Sequence, residues 1–147
     1  MRAKYFFTAT VVTLLTALAP GGPLAQGQTI KPSRILITGL VSGEEVEKLT
    51  PPNGVITKKD DLDKLWKAWL LEDKVPGVDF KTSLVVVATS RKGPIKAAVL
   101  ADEKRTGDMK IKVELERQTE GTDLQVLIAV FPRAGIKTIE GKTIADK

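Results

Sequence analysis

Residues 57–90 read TKKDDLDKLWKAWLLEDKVPGVDFKTSLVVVATS, and the fold turns on how this stretch is read. Leu62, Leu65, Trp66, Trp69 and Leu70 recur at i, i+3, i+4, i+7 and i+8, which makes one apolar stripe on a helix of 3.6 residues per turn. Asp63, Lys64, Lys67 and Glu72 fall off that stripe, and both tryptophans of the chain lie on it. Thr57 is placed to cap the helix, with Asp60 three residues on as a weak capping-box partner. Asp60, Asp61 and Asp63 suit the positive end of the helix dipole; a calcium loop would need oxygen ligands alternating around a glycine, which is missing here. Pro76 disfavours helix at Val75, and Gly77 permits a sharp change of direction. The run Leu84-Val85-Val86-Val87-Ala88 then reads as a strand buried on both faces. A helix laid on a sheet hides both elements from water.

Working outward, Arg34 to Val41 (RILITGLV) is β-branched and apolar enough for a first strand, with Gly39 marking a bulge. Pro51-Pro52-Asn53-Gly54 is a turn, and Val55-Ile56-Thr57 an extended entry to the helix. Beyond Ser90, Ile95, Ala97, Val99 and Ala101 alternate with Lys96, Ala98 and Leu100. Met109, Ile111, Val113 and Leu115 alternate with Lys110, Lys112, Glu114 and Glu116, the pattern of a strand with one wet face. Leu124 to Phe131 is a second nearly continuous apolar run, expected at the centre of the sheet beside the Leu84 strand or the Met109 strand. The segment from Ile136 to Ile144 alternates around Glu140-Gly141 and reads as a small closing hairpin. The expected class is therefore α+β: one amphipathic helix packed on a mainly antiparallel sheet of about six or seven strands, the alternative being a β-sandwich with one helix.

The chain of 147 residues is long enough for one ordinary domain. Residues 1–25 have the layout of a secretory signal: Arg2 and Lys4, an apolar stretch from Tyr5 to Leu18, then small residues. Threonines at 8, 10, 13 and 16 dilute that stretch, which falls short of the ~20 apolar residues a span needs, so no stable membrane span is expected in the mature protein. Cleavage is placed after Ala25; Ala17-Leu18-Ala19 also has the small-x-small form but is followed by Pro20. Residues 26–33 read as a linker, and 34–147 as a single domain. The formal charge of +5 falls by two, to +3, once Arg2 and Lys4 leave. Lysines and acids are interleaved throughout, so no nucleic-acid surface is expected.

Cysteine and histidine are both absent. Disulfides, lipid-modified cysteine, thiolate or imidazole metal sites, and Ser-His-Asp or Cys-His catalysis cannot be built from this chain. Ser33, Ser42, Ser83 and Ser90 remain, but no lysine is marked as buried beside one of them, and no catalytic residue, cofactor or metal is assigned. Asp79 is read as a turn residue whose carboxylate accepts nearby backbone N–H groups. Two turns are candidates to touch a partner, Arg91-Lys92-Gly93-Pro94 and Phe131-Pro132-Arg133-Ala134-Gly135, which at one end of the sheet would form a common surface. The partner expected is another exported or envelope protein. A small-ligand carrier or weak hydrolase using space between helix and sheet, and a loop-based protease inhibitor, are the alternatives.

The helix bearing Leu65, Trp66 and Trp69, followed by Val78-Asp79-Phe80 and the strand through Ser90, resembles the C-terminal domain of the PrcB family, non-catalytic subunits of bacterial protease complexes. The resemblance extends over roughly 55–144 and is most specific over Leu65–Ser90. It implies an extracytoplasmic α+β module that associates with other proteins. Where that family has a turn of the form G-x-x-x-T-G-G-Y after the strand, this chain has Ser90-Arg91-Lys92-Gly93-Pro94-Ile95-Lys96, without the paired glycines and the aromatic. If export proceeds as read, the intact mass of the protein from an envelope fraction will correspond to a chain starting at Gln26; a mass retaining residues 1–25 would refute cleavage there.

Overall fold

A computed structural model describes residues 27–41, 48–51, 53–69, 71, 74–119 and 123–144. Nine strands and a helix follow in the order β1 (Gln28–Ile30), β2 (Arg34–Val41), β3 (Val55–Ile56), α1 (Lys59–Ala68), β4 (Ser83–Ser90), β5 (Ile95–Asp102), β6 (Asp108–Leu115), β7 (Leu124–Pro132), β8 (Thr138–Ile139) and β9 (Lys142–Thr143). They form two sheets, one ordered β2-β7-β4-β3 and the other β1-β5-β6-β8-β9. All pairings are antiparallel except β6 with β8. Among the described residues the class is β-rich with one packed helix, and the strands there number nine rather than six or seven because β1, β3, β8 and β9 are only two or three residues long.

Strands β4 and β7 pair in register from Ser83↔Pro132 to Ser90↔Gln125. Their side chains alternate between two cores. Val85, Val87, Val126, Ile128 and Val130 meet Leu62, Leu65 and Trp66 of α1 and Trp69 at its C-cap on one side. Leu84, Val86, Ala88, Leu127, Ala129 and Phe131 meet Ile95, Ala98, Leu100, Met109 and Ile139 of the second sheet on the other. The layers are therefore helix, four-stranded sheet, five-stranded sheet. The expected stripe is buried as read, with Trp66 at 3% and Trp69 at 5% exposure; Leu70 and Glu72 lie outside the described residues, as does the leader.

Several local expectations shift. The helix begins at Lys59, with Lys58 rather than Thr57 in the cap position, extended at φ −135° and making no side-chain cap bond. Asp60 and Asp61 in the first turn and Lys67 in the last still match the dipole, and Lys59 pairs with Asp63 one turn on. Gln28–Ile30, inside the stretch read as linker, forms β1 against Asp102, Ala101 and Leu100. Gly27 leads into it by close approach: a Cβ there would lie 2.7 Å from the Asp102 carbonyl oxygen, which is why a glycine, read as a sign of linker, serves structure here. The bulge in β2 lies between Ile35 and Ile37, while Gly39 pairs in register with Val126. A second register shift, between Ile95 and Ala97, moves β5 out of simple alternation, so that Ala98 and Leu100 are buried with Ile95.

Other readings hold. Met109 is buried and Ile111 and Leu115 half-buried while Lys110, Lys112 and Glu114 are exposed, although Val113, read with the covered face, is also exposed; β7 sits centrally between β2 and β4. The closing hairpin turns at Glu140 (φ 51°) and Gly141 (φ 75°), the two successive positive φ values of a tight two-residue hairpin turn. Because Trp66 fills the interface of α1 with the sheet, Trp66→Ala is expected to destabilise the fold by about 3–5 kcal/mol, measured by urea unfolding; a change below about 1 kcal/mol would contradict the packing described.

Candidate interaction surface

The two turns singled out from sequence do not come together. Arg91–Pro94 follows the Ser90 end of β4, whereas Pro132 pairs with Ser83 at the opposite end. Seven residue steps separate those ends, about 23 Å along a strand. Each turn is also held by contacts of its own. Lys92 N–H donates to Ser90 Oγ (3.0 Å), and the Lys92 and Pro94 carbonyls accept from Thr119 N (2.8 Å) and Glu116 N (2.9 Å). Gly93 is buried beneath this connection: a Cβ would sit 2.1 Å from the Arg117 carbonyl oxygen, so the glycine is a packing requirement. Arg91 and Lys92 are exposed.

At the other end, Arg133 is half-buried and ties two segments together, its Nη1 donating to the Phe80 carbonyl (3.2 Å) and its backbone N–H to Thr82 O (2.9 Å). Pro132 and Gly135 are exposed, with Gly135 at φ 81°. Asp79 plays the turn role expected of it: Oδ1 accepts from Lys81 N (3.0 Å), Oδ2 from Thr82 Oγ1 (3.1 Å), and its carbonyl from Ser83 N (2.9 Å). Phe80 is half-buried against the helix-side core. This end of the sheet is a knot of turn and strand contacts.

The space beside the helix is a shallow depression of about 420 Å³ lined by Leu49, Pro51, Ile56, Leu65 and Ala68. It flanks α1; Trp66 and Trp69 rest on solid core. Its two charged side chains, Asp61 and Lys64, pair with each other at 3.8 Å.

A different polar cluster, not marked by any of the sequence motifs above, surrounds Asp102. Asp102 ends β5 and is 2% exposed. Its Oδ1 accepts from Lys104 N (3.2 Å) and Thr106 N (3.1 Å), and Oδ2 from Gly107 N (2.7 Å). The intervening loop includes positive φ at Arg105 (53°) and Gly107 (83°), which turns successive N–H groups inward on one carboxylate. Burial pushes the carboxyl up, but the backbone N–H groups of Gly107, Thr106, Lys104 and Arg105 together hold it below its ordinary 3.8. The string DEKRTG carries the signal, an acid followed by Thr-Gly in a turn, though only burial reveals that the acid is the anchor.

The surface that stands out is the edge of the four-stranded sheet. β2 pairs with β7 along one side, and among the described residues no strand pairs with its other side. It is eight residues long, whereas β3 at the far edge has two. Ile35 and Leu40 on it are 51% and 60% exposed. Counting past the bulge at Leu36, Ile35 lies opposite Ala129, Thr38 opposite Leu127 and Leu40 opposite Gln125, so all three project from the same face. Arg34, the strand's one charged residue, is turned back to donate from Nη2 to the Gly77 carbonyl at 2.8 Å. Sequence pattern identified β2 as a strand; that its apolar residues face outward depends on how far the second sheet extends, which no local pattern encodes.

Among the described residues, no helix is long and apolar enough to cross a membrane. Comparison with family models, with curated proteins and with solved structures finds no match.

Because the lowered Asp102 pKa means the folded state prefers the ionised carboxylate, its contribution is present above pH 3.8 and lost as pH falls through the folded value. Asp102→Asn, which turns an amide donor toward N–H donors, is expected to lower Tm at neutral pH by roughly 4–8 °C. The gap between wild type and variant should narrow below pH 4 in thermal melts; a gap constant with pH would show that ionisation of Asp102 is irrelevant.

Proposed function

We propose that this chain is an exported, non-enzymatic protein-interaction module, an accessory subunit of an envelope protein complex, and that it docks through the β2 edge. The observation that carries the proposal is an eight-residue edge strand with Ile35 and Leu40 exposed and its single charged residue, Arg34, at one end and hydrogen-bonded to the Gly77 carbonyl. Edge strands ordinarily carry lysine, proline or very short length that discourages pairing; β2 has none of these, although it does have one bulge. Unpaired N–H and C=O groups along such an edge recognise an extended chain by main-chain hydrogen bonds, with apolar side chains adding to the contact. The leader, the lack of histidine and cysteine, and the PrcB-like run over Leu65–Ser90 agree with an extracytoplasmic associating role.

The test is retention of proteins from native envelope extract by immobilised wild type, Leu40→Lys and Lys92→Glu. A lysine in place of Leu40 puts a charge on the docking face, while Lys92 lies in the turn after β4, two strands in from the β2 edge, and tests the Arg91–Pro94 turn separately. Wild type and Lys92→Glu are expected to retain the same discrete set, and Leu40→Lys to lose at least tenfold of it without a change in thermal unfolding. Equal retention by Leu40→Lys would remove β2 from the role, and loss with Lys92→Glu would return it to the Arg91–Pro94 turn.

A further inference from the structure

Resting on the reading of β2 as a docking edge, we infer that a second copy of this chain occupies it, in an antiparallel β2–β2 pair with its twofold axis at Thr38. The registration with β7 supplies the argument. Leaving out the bulged Leu36, the residues of β2 that keep step with β7 are Arg34, Ile35, Ile37, Thr38, Gly39, Leu40 and Val41. Thr38 is the midpoint of that series. An antiparallel pair centred there sets Thr38 against its own copy, Ile35 against Leu40, Ile37 against Gly39 and Arg34 against Val41.

Each of these pairings is favourable or neutral. Ile35 and Leu40, the two large apolar side chains most exposed on the strand, cover one another twice, once on each side of the axis. Threonine against threonine is a good cross-strand pair. Ile37 of one copy lies over the bare Gly39 of the other. The like charges of the two Arg34 residues fall at opposite ends of the pair, so no repulsion opposes it, and each guanidinium is already engaged with Gly77. The bulge is essential to this match: Ile35 and Leu40 are an odd number apart and would face opposite sides of an unbroken strand. The bulges of the two copies fall symmetrically about the axis. The interface is isologous, as twofold dimers require, and it joins two four-stranded sheets into one of eight strands. A single strand pair is a small interface, so the dimer is expected to be reversible and concentration-dependent.

The absence of cysteine permits a direct test. Directly opposed residues of an antiparallel pair have Cα atoms about 4.5–5.5 Å apart, within disulfide range. Thr38→Cys is expected to form a covalent dimer under mild oxidation, whereas Lys58→Cys, exposed at the start of the helix, stays mainly monomeric. Sedimentation of the wild-type protein should shift from monomer to dimer with rising concentration, and Leu40→Lys should remain monomeric with an unchanged melting curve. A wild-type protein that is monomeric at every attainable concentration overturns the proposal, as does a dimer that Leu40→Lys leaves intact or that Thr38→Cys fails to lock. Retention of an envelope protein through β2 by a protein that is always monomeric would refute the second copy and leave the docking role standing. A Thr38-linked dimer that retains nothing from the extract would do the reverse.

Discussion

The pairing of β4 with β7 is the constraint on which the rest depends. Eight consecutive residues of each strand are matched, from Ser83↔Pro132 to Ser90↔Gln125, and Leu84 to Val86 and Ile128 to Ala129 are fully buried. Because side chains alternate across a strand, this one ladder supplies half of each core. A one-residue slip of β4 against β7 would send Val85 and Val87 into the second sheet and bring Leu84, Val86 and Ala88 under the helix. Register is strongly specified in such a strand pair because each face is committed to a different buried core.

The architecture was legible wherever one segment determines its own environment. The Leu62–Trp69 stripe, the double-sided burial of Leu84–Ala88, the wet face of β6 and the Glu140-Gly141 turn all follow from local periodicity or backbone preference. What escaped was non-local. The division into two sheets cannot be read from strands that look alike singly. The bulges at Leu36 and Lys96 reverse phase without any obligatory residue. β1 hides among glycines and prolines because three residues are too few to show a period, and it exists because β5 offers an edge.

The candidate sites divide along the same line. Asp79 was interpretable since its partners, Lys81, Thr82 and Ser83, follow within four residues. Gly93 and Arg133 looked like parts of partner-facing turns, yet their contacts are with Arg117 and Phe80, remote in sequence, and those contacts make them structural. Asp102 lies between the two cases: its N–H donors are local, but its burial comes from the meeting of β1 and the β5–β6 loop. The exposure of Ile35 and Leu40 is the least local property of all, being set by where a different sheet ends.

The central place of β7 also orders events in time. It lies between β2 and β4, and Ser33 beside β2 donates to a carbonyl of Val130, 97 residues further along the chain. The β1–β5, β3–β4 and β5–β6 pairs involve only segments that precede β7, but neither core is complete until that late strand is in place. Contacts so distant in sequence slow folding, because chain entropy must be surrendered before they form. Because β7 contributes to both the helix-side and the sheet-side interiors, its docking is the step that completes the two together.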